Sequence, residues 1–478
     1  MNITPIILCG GSGKRLWPIS RKNYPKQFLE LVGDSTLFKQ SVSRAIALEN
    51  KDFKISEILI VTNENHRFLV LEQLNNMKLM VPTRILLEPE SKNTAPALTL
   101  AALAAEDKNP KSILVVTPAD HYIKDLGQFT QTMHLAIKAA KDKVIVTLGI
   151  NPTRPETGFG YIHYEGDGFI KNVLTFKEKP DLVTAKKFIS QGQYTWNGGM
   201  FILHSKTWLD AIHMSNEKIS HQVRQAWKDR NFDQWFERPN NEAFKKSPSD
   251  SIDYAVIEKS QELDLSIKLA ILNAGWSDFG TFTALDEIEK KDKNGNIFKG
   301  DVVALNTNNS IVISSKKNVS LIGVDNLIVI ETSDSVLVVN KDDAQSIKEL
   351  VKILAKDHQS LLDEHTKVNR PWGWFDILKT SETFKVKLIQ IDAGKSISLQ
   401  KHHKRSEHWV VVKGVATITK DDAIFDLFEN QSTYIEKKQI HRISNRSDNS
   451  LMIIEVQSGN YLGEDDIERL EDKYGRKN

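Results

Sequence analysis

Residues 6–28, IILCGGSGKRLWPISRKNYPKQF, carry the clearest chemistry of the chain. The apolar run Pro5-Ile6-Ile7-Leu8-Cys9 stops abruptly at glycine and reads as a buried strand entering a tight loop. The loop Gly10-Gly11-Ser12-Gly13 has almost no side-chain bulk, so its backbone N–H groups can approach an anion closely. Lys14 and Arg15 follow at once and would neutralise that anion, which makes a polyphosphate the natural ligand. A Walker A loop would need glycine where Leu8 stands and Ser or Thr where Arg15 stands. The dinucleotide fingerprint would need glycine where Leu16 stands. The competing reading is a glycine-rich strand-to-helix turn with merely solvated cations. Pro25-Lys26-Gln27-Phe28 argues against it, because a third cation returns after a proline-fixed bend.

Two further groups of residues could hold metal ions. Thr117-Pro118-Ala119-Asp120-His121 follows an apolar strand, and an Asp at the carboxyl end of a parallel strand can hold Mg²⁺ bridging phosphates. A turn or cap Asp is the alternative. Far downstream, Gln400 and His402 are two apart and would share one face of a strand. Glu407 and His441 could converge on them from neighbouring strands. Two imidazoles, a carboxylate and an amide oxygen suit a borderline divalent ion such as Zn²⁺. His402, His403 and His408 could instead be surface charge.

Gly158-Phe159-Gly160-Tyr161, Glu178-Lys179-Pro180 and Trp196-Asn197-Gly198-Gly199 combine bare backbone with amide, carboxylate and ammonium groups. Such close-range donors and acceptors suit a hydroxyl-rich ligand, although each piece could be an ordinary hairpin turn.

These residues need elements to position them. At 478 residues the chain should form two or three domains, and its 40% hydrophobic and 26% charged content is that of a globular protein. A net charge of +2 gives no global field to recruit nucleic acid or anionic membrane, so phosphate affinity must be local. The single cysteine, Cys9, allows no internal disulfide and reads as a small buried residue. No signal peptide or membrane-length apolar run is apparent, so a cytoplasmic protein is expected.

Up to about residue 290, continuous apolar runs at 58–62, 113–117 and 144–149 alternate with helical patterns at 95–105 and 129–140. That predicts an open α/β sheet covered on both faces, with ligands at the carboxyl ends of its strands. From 291 to 369 short β pieces recur at near-regular spacing, ahead of an amphipathic helix and a linker. A short β-helix fits this spacing, as does a small sandwich, and the segment reads as a structural spacer. From 370 to 478 regular β runs at 384–392, 396–400, 409–412, 415–419 and 452–456 suit a jelly roll.

The sequence from Leu8 to Pro18, with Pro25-Lys26-Gln27-Phe28, resembles the signature of sugar-1-phosphate nucleotidyltransferases, in the mannose-1-phosphate guanylyltransferase branch. Arg370-Pro371-Trp372-Gly373, Arg405-Ser406-Glu407-His408-Trp409 and the spacing around Gln400 and His441 resemble the cupin of phosphomannose isomerases. Together the likeness is to the two-activity mannose-6-phosphate isomerase and mannose-1-phosphate guanylyltransferase family. It implies a Rossmann-like nucleotidyltransferase domain, a β-helix-like piece and a cupin.

The resemblance also implies roles. Leu8, Gly10, Gly11, Gly13, Lys14, Arg15, Lys26, Thr94, Pro118 and Asp120 would hold GTP. Gly160, Tyr161, Glu178, Lys179, Asn197 and Gly199 would hold mannose 1-phosphate. Gly198 departs from the family, which has Ser there. Asp120 and Asp278 would carry Mg²⁺. Arg15, Lys26, Asp120 and Asp278 would serve GMP transfer with release of pyrophosphate. Gln400, His402, Glu407 and His441 would bind Zn²⁺ or a similar ion and interconvert mannose 6-phosphate and fructose 6-phosphate, with Arg405 at the substrate. A homodimer is expected. The rival readings are a transferase whose cupin serves only assembly or regulation, and a nucleotide-sugar sensor. Retention of both metal carboxylates speaks against the sensor.

Overall fold

The computed structural model describes residues 1–472 other than Ser12, Asp142 and Gln234. It divides into two compact units, Met1–Leu362 and Asp363–Asn478. No described helix is long and apolar enough to cross a membrane.

The first unit is built on a twelve-stranded mixed sheet. Thr83–Glu88, Ile58–Asn63, Asn2–Cys9 and Ile113–Pro118 lie side by side in parallel. Tyr194–His204 runs antiparallel between Ile113–Pro118 and Val144–Ile150. Ser266–Ile271 then pairs parallel with Val144–Ile150, and Ile170–Lys177 and Tyr161–Glu165 extend that end. The continuous apolar runs are explained by burial on both faces. Ile7, Ile60 and Val115 pack on one face with Phe28, Phe38 and Phe129. Their neighbours Ile6, Leu59 and Leu114 face the other way, onto Thr94–Lys108, Trp208 and Trp227. Helix Thr94–Lys108 is alanine-rich and buried from Ala95 to Ala105, so it can lie flat on the sheet. Asn93 caps it, accepting the Thr94 N–H at 2.9 Å.

The expected boundaries shift little. Helix Leu126–Ala139 starts three residues before the periodic run, at the cap Asp125, whose carboxylate accepts the Gln128 N–H. The glycine loop leads into a single 3-10 turn, Lys14–Leu16, rather than a helix. Cys9 is fully buried, and burial pushes its thiol up to about 12.

The β-rich segment forms parallel rungs, as a β-helix requires and a sandwich does not. Ile297–Lys299, Ile311–Ser314 and Leu327–Glu331 stack in parallel, with Ile297, Ile311 and Ile328 in register. Val302–Leu305 and Val319–Ile322 stack likewise. Asn309, Asn326 and Asn340 form a side-chain ladder along the turns, with steps of 2.9 and 3.0 Å. This segment is more than a spacer. Ile311, Ile328 and Ile330 share one apolar core with Leu16 and Trp17 of the glycine-loop region and with Phe279 and Phe282. Arg21, almost fully buried, meets Asp334 at 2.7 Å, and Trp17 Nε1 donates to Leu361 O at 3.0 Å.

The second unit packs two antiparallel sheets. One is ordered Lys367–Arg370, Gly373–Thr380, Phe384–Ile391, Leu451–Gly459, Arg405–Lys413 and Ser432–Ile435. The other is ordered Ala423–Leu427, Ala416–Lys420, His441–Ser444, Leu399–His402 and Ile467–Glu471. The strand expected at 396–400 runs instead as Leu399–His402; Ser396 makes only an isolated bridge to Ser444. Ile389, Val411, Ile418, Ile443 and Ile453 fill the space between the sheets.

Because the β-helix completes the core behind Trp17 and Phe279, a chain ending at residue 362 should fold with one cooperative thermal transition. A chain ending at residue 290 should not, since it would expose several buried side chains, each contributing about 1.5–3 kcal/mol. Circular-dichroism melting of the two truncations checks this.

Two candidate active sites

In the first unit, strand Asn2–Cys9 ends beside Ile113–Pro118, with Leu8 opposite Pro118. Ala119 N donates to Leu8 O at 3.0 Å, so the chain after Pro118 is pinned to the edge of the glycine loop. This places Asp120 there: a Cβ added at Gly11 would lie 3.9 Å from Asp120 Oδ2. Lys26 Nζ meets Asp120 Oδ2 at 2.9 Å and donates to Asp278 O at 2.5 Å. One ammonium therefore joins three segments that are distant in sequence. Burial resists the charge on Asp120, but the Lys26 cation holds its carboxyl below the usual carboxylate range. Burial pushes the adjacent His121 imidazole down to about 4, and its Nδ1 accepts Trp276 Nε1–H at 3.1 Å.

Gly11 and Gly13 have φ of 93° and 55°, in the region that favours glycine. A Cβ at Gly13 would lie 3.0 Å from Lys26 Cβ, so that glycine also lets Lys26 come close. Gln27 Nε2 donates to Gly10 O at 3.2 Å and fixes the start of the loop. Arg15 is exposed, and a Cβ at Gly280 would lie 3.4 Å from its Nη1 and 2.9 Å from Asp278 Oδ2. Both carboxylates thus border space that glycines leave open, and hard oxygen donors of this kind fit Mg²⁺. The Lys14 side chain lies outside the described residues. Thr94 Oγ1 accepts the Ile252 N–H at 3.0 Å, tying the helix start to the loop after Asp250.

The hydroxyl-binding candidates also converge. Asn197 N donates to Gly160 O at 2.8 Å, while Gly199 N donates to Asn197 Oδ1 at 3.1 Å. Asn197 Nδ2 donates to Asp253 Oδ1 at 2.7 Å. Lys179 Nζ meets Glu178 Oε1 at 2.8 Å. Burial, reinforced by the nearby Glu178 charge, pushes the Asp253 carboxyl up to about 7. Tyr161 is fully buried and accepts the Glu156 N–H through its hydroxyl, so its side chain belongs to the core behind these residues. At Gly198 a Cβ would sit 2.8 Å from Leu148 O, so any side chain there would require the backbone to shift.

In the second unit, His402, Glu407 and His441 are buried, and their ligand atoms all lie within 4.8 Å of one another. Among the described residues this is the one such group of three. The two strands that carry His402 and His441 meet at the Gln400–His441 register pair. His441 Nδ1 lies 2.8 Å from Gln439 O, a pure acceptor, so Nδ1 carries the proton and Nε2 turns a lone pair inward. His441 Nε2 lies 3.2 Å from His402 Nε2, which is 3.0 Å from Glu407 Oε1. Gln400 Nε2 lies 3.4 Å from His402 Nε2, and its Oε1 accepts from Ser398 Oγ at 2.8 Å. Two imidazoles and a carboxylate converging in a buried space fit a divalent transition metal.

Burial resists the charge on Glu407, but its bond to His402 and the Arg405 guanidinium hold its carboxyl well below the usual range. Arg405 is 1% exposed, with Nε on Glu407 Oε1 at 3.1 Å and Nη1 on Gly463 O at 2.8 Å. In this arrangement it braces Glu407.

The sequence reading missed a layer behind these ligands. Trp409 Nε1 lies 3.1 Å from Glu407 Oε2 and 3.2 Å from Glu455 Oε2. Gln457 Nε2 donates to Glu407 Oε1 and Glu455 Oε1, at 3.2 and 2.8 Å. Burial and the Glu407 charge push Glu455 up to about 8. The available signal was Glu455 and Gln457 at alternate positions of an otherwise apolar strand, where a polar residue facing inward needs a reason. Asp253 carried no such local signal.

Three family models match the chain: Nucleotidyl transferase over residues 4–295, MannoseP isomerase/GMP-like beta-helix domain over 300–354, and Mannose-6-phosphate isomerase C-terminal over 357–472. Alginate biosynthesis protein AlgA of Pseudomonas aeruginosa is 43% identical over 476 residues, spanning 99% of this chain and 97% of the relative. Mannose-1-phosphate guanylyltransferase RfbM of Salmonella typhimurium is 38% identical over 481 residues, spanning 99% of this chain and 98% of the relative. A crystal structure of mannose-6-phosphate isomerase from Helicobacter pylori is 33% identical with a TM-score of 0.50, covering 58% of this chain and 100% of that one. The match runs end to end in the order found in the fold, and the chain belongs to the family that joins a mannose-1-phosphate guanylyltransferase to a C-terminal mannose-6-phosphate isomerase domain.

Proposed function

We propose that the first unit transfers GMP from GTP to mannose 1-phosphate, releasing pyrophosphate, and that the second interconverts mannose 6-phosphate and fructose 6-phosphate. The observation that carries the first half is the Lys26 ammonium bound to Asp120 at the mouth of a glycine-rich loop. The sugar phosphate is already an anionic nucleophile, so the protein must position it and neutralise charge rather than supply a strong base. The amides of Gly10, Gly11 and Gly13, with Lys14 and Arg15, hold the leaving pyrophosphate. Lys26 reaches the phosphates while keeping Asp120 ionised. Asp120 and Asp278 hold Mg²⁺, which when bound offsets the charge of the phosphates. Glu178, Lys179, Asn197 and Gly199 orient the mannose phosphate, and Asp253 fixes the Asn197 amide.

In the second unit, His402, Glu407 and His441, with Gln400 at the rim, hold Zn²⁺ or a similar ion, which when bound polarises a sugar carbonyl. Arg405 and Gln457 keep Glu407 aimed inward. The competing reading, in which the cupin serves only assembly, has no observation in its favour here. The four inward-facing polar groups Glu407, Glu455, Gln457 and Lys387 would be costly to bury for packing alone.

Asp278→Asn keeps the shape and removes the charge. It should cut GMP transfer by about two orders of magnitude or more and leave isomerisation unchanged, as read by pyrophosphate release and a coupled fructose 6-phosphate assay. His402→Ala should do the reverse, abolishing isomerisation while GDP-mannose synthesis stays within about threefold. Thermal melting and solution size, measured alongside, report whether the expected homodimer forms and survives. Equal loss of both activities in either variant, with normal folding, would contradict the two-site assignment.

A further inference from the structure

The inner face of the larger cupin sheet changes character along its length. Ile389, Ile453 and Val411 are neighbours across three strands and close the apolar core. The next inward row is Lys387, Glu455 and Trp409, and the one after it is Lys385, Gln457 and Glu407. Polar groups are thus collected at the metal-ligand end of the barrel, in the same rows as Glu407.

The charges in these rows are mostly matched. Arg405 is paired with Glu407 at 3.1 Å, and Lys387 with Glu464 at 2.7 Å and Glu455 at 3.8 Å. Lys385 differs. It is half-buried, donates only to the carbonyl of Leu462 at 2.9 Å, and has no carboxylate within ion-pair distance among the described residues. Burial, with the charges of Lys387 and Arg405, lowers its proton affinity, while Glu464 and Glu455, beyond ion-pair distance, oppose that shift. An ammonium held in a polar interior with no carboxylate in direct contact can pair with an incoming anion.

Its register partner supplies a second unmet demand. Gln457, 1% exposed, must turn its NH2 toward Glu407, because that carboxylate is held ionised and can only accept. That orientation leaves Gln457 Oε1 buried without a donor. A cation with no carboxylate in direct contact and an acceptor lacking its donor therefore sit side by side, in the row that contains a metal ligand.

We infer that Lys385 and Gln457 form the part of the cupin site that receives the phosphate end of a phosphorylated hexose. Lys385 takes the phosphate, and Gln457 Oε1 accepts a sugar hydroxyl. This rests on the isomerase reading and names the residues that give that site its preference for a phosphorylated sugar.

The test uses the full-length, metal-loaded chain as wild type, Lys385→Gln and Lys385→Arg. Lys385→Gln should raise the isomerase KM for mannose 6-phosphate about tenfold to a hundredfold, as loss of a hydrogen bond to a charged group does, with kcat within about threefold. Lys385→Arg should restore most of the KM, and metal content and melting temperature should be unchanged in both. An unaltered KM in Lys385→Gln, or parallel loss of kcat and bound metal, would overturn the inference. If wild type shows no isomerisation, the isomerase reading fails by itself, and calorimetric binding of mannose 6-phosphate against mannose decides the anion site. Phosphate-dependent binding lost in Lys385→Gln supports it; equal binding by both proteins overturns it.

Discussion

The first unit turns on one ammonium. Lys26 Nζ is held between the Asp120 carboxylate and the backbone carbonyl of Asp278, with only about an eighth of its side chain exposed. It joins the segment after the glycine loop, the end of a central strand and a loop some 250 residues later. In so dry a setting, removing one partner costs more than the pair contributes, because the other charge is left buried and unmatched. The glycines answer the same constraint. Side chains at Gly13 or Gly280 would crowd Lys26 or Asp278, and Gly11 holds a φ of 93° that a side chain would strain. We read the bare loop as what lets three segments close around one cation and still admit a polyphosphate.

That closure depends on support from beneath. Leu16 and Trp17 pack with Phe279 against Ile311, Ile328 and Ile330, so both flanks of the candidate site rest on the β-helix. The Arg21–Asp334 pair and the Trp17–Leu361 bond fix the same region. A segment with no chemistry of its own can hold catalytic groups in place, and positioning is most of what phosphoryl-type transfer asks of a protein.

Much of this was legible in the sequence, and the reasons differ by residue. The strands at 58–62 and 113–117 are continuous apolar runs because helices cover both faces of the sheet, so local composition sufficed. The glycine loop was legible because bare backbone next to paired cations has few other uses. The residue pair Gln400 and His402 was legible from a spacing of two on a strand. Asp253 and Gln457 were not. Each matters through a partner in another segment, Asn197 for one and Glu407 for the other, and no local pattern encodes such a partnership. The shared core of Trp17 and Ile328 escaped for the same reason, and the regular rungs at 296–340 accordingly suggested only a spacer. Strand Ile467–Glu471, with charges at Glu468, Arg469 and Glu471, gave no apolar signal.

The cupin repeats the same logic with different atoms. Glu407 is held ionised by Arg405 and His402, and Gln457 and Trp409 fix its orientation, as Lys26 fixes Asp120. The central claim is that the Lys26 contact organises the transferase site. Lys26→Met tests it most directly, by titrating Mg²⁺–GTP into the intact chain and following pyrophosphate release. The account predicts nucleotide affinity weakened about tenfold or more and turnover reduced about a hundredfold, with the isomerase rate unchanged. Wild-type affinity and turnover in a folded Lys26→Met protein would contradict it.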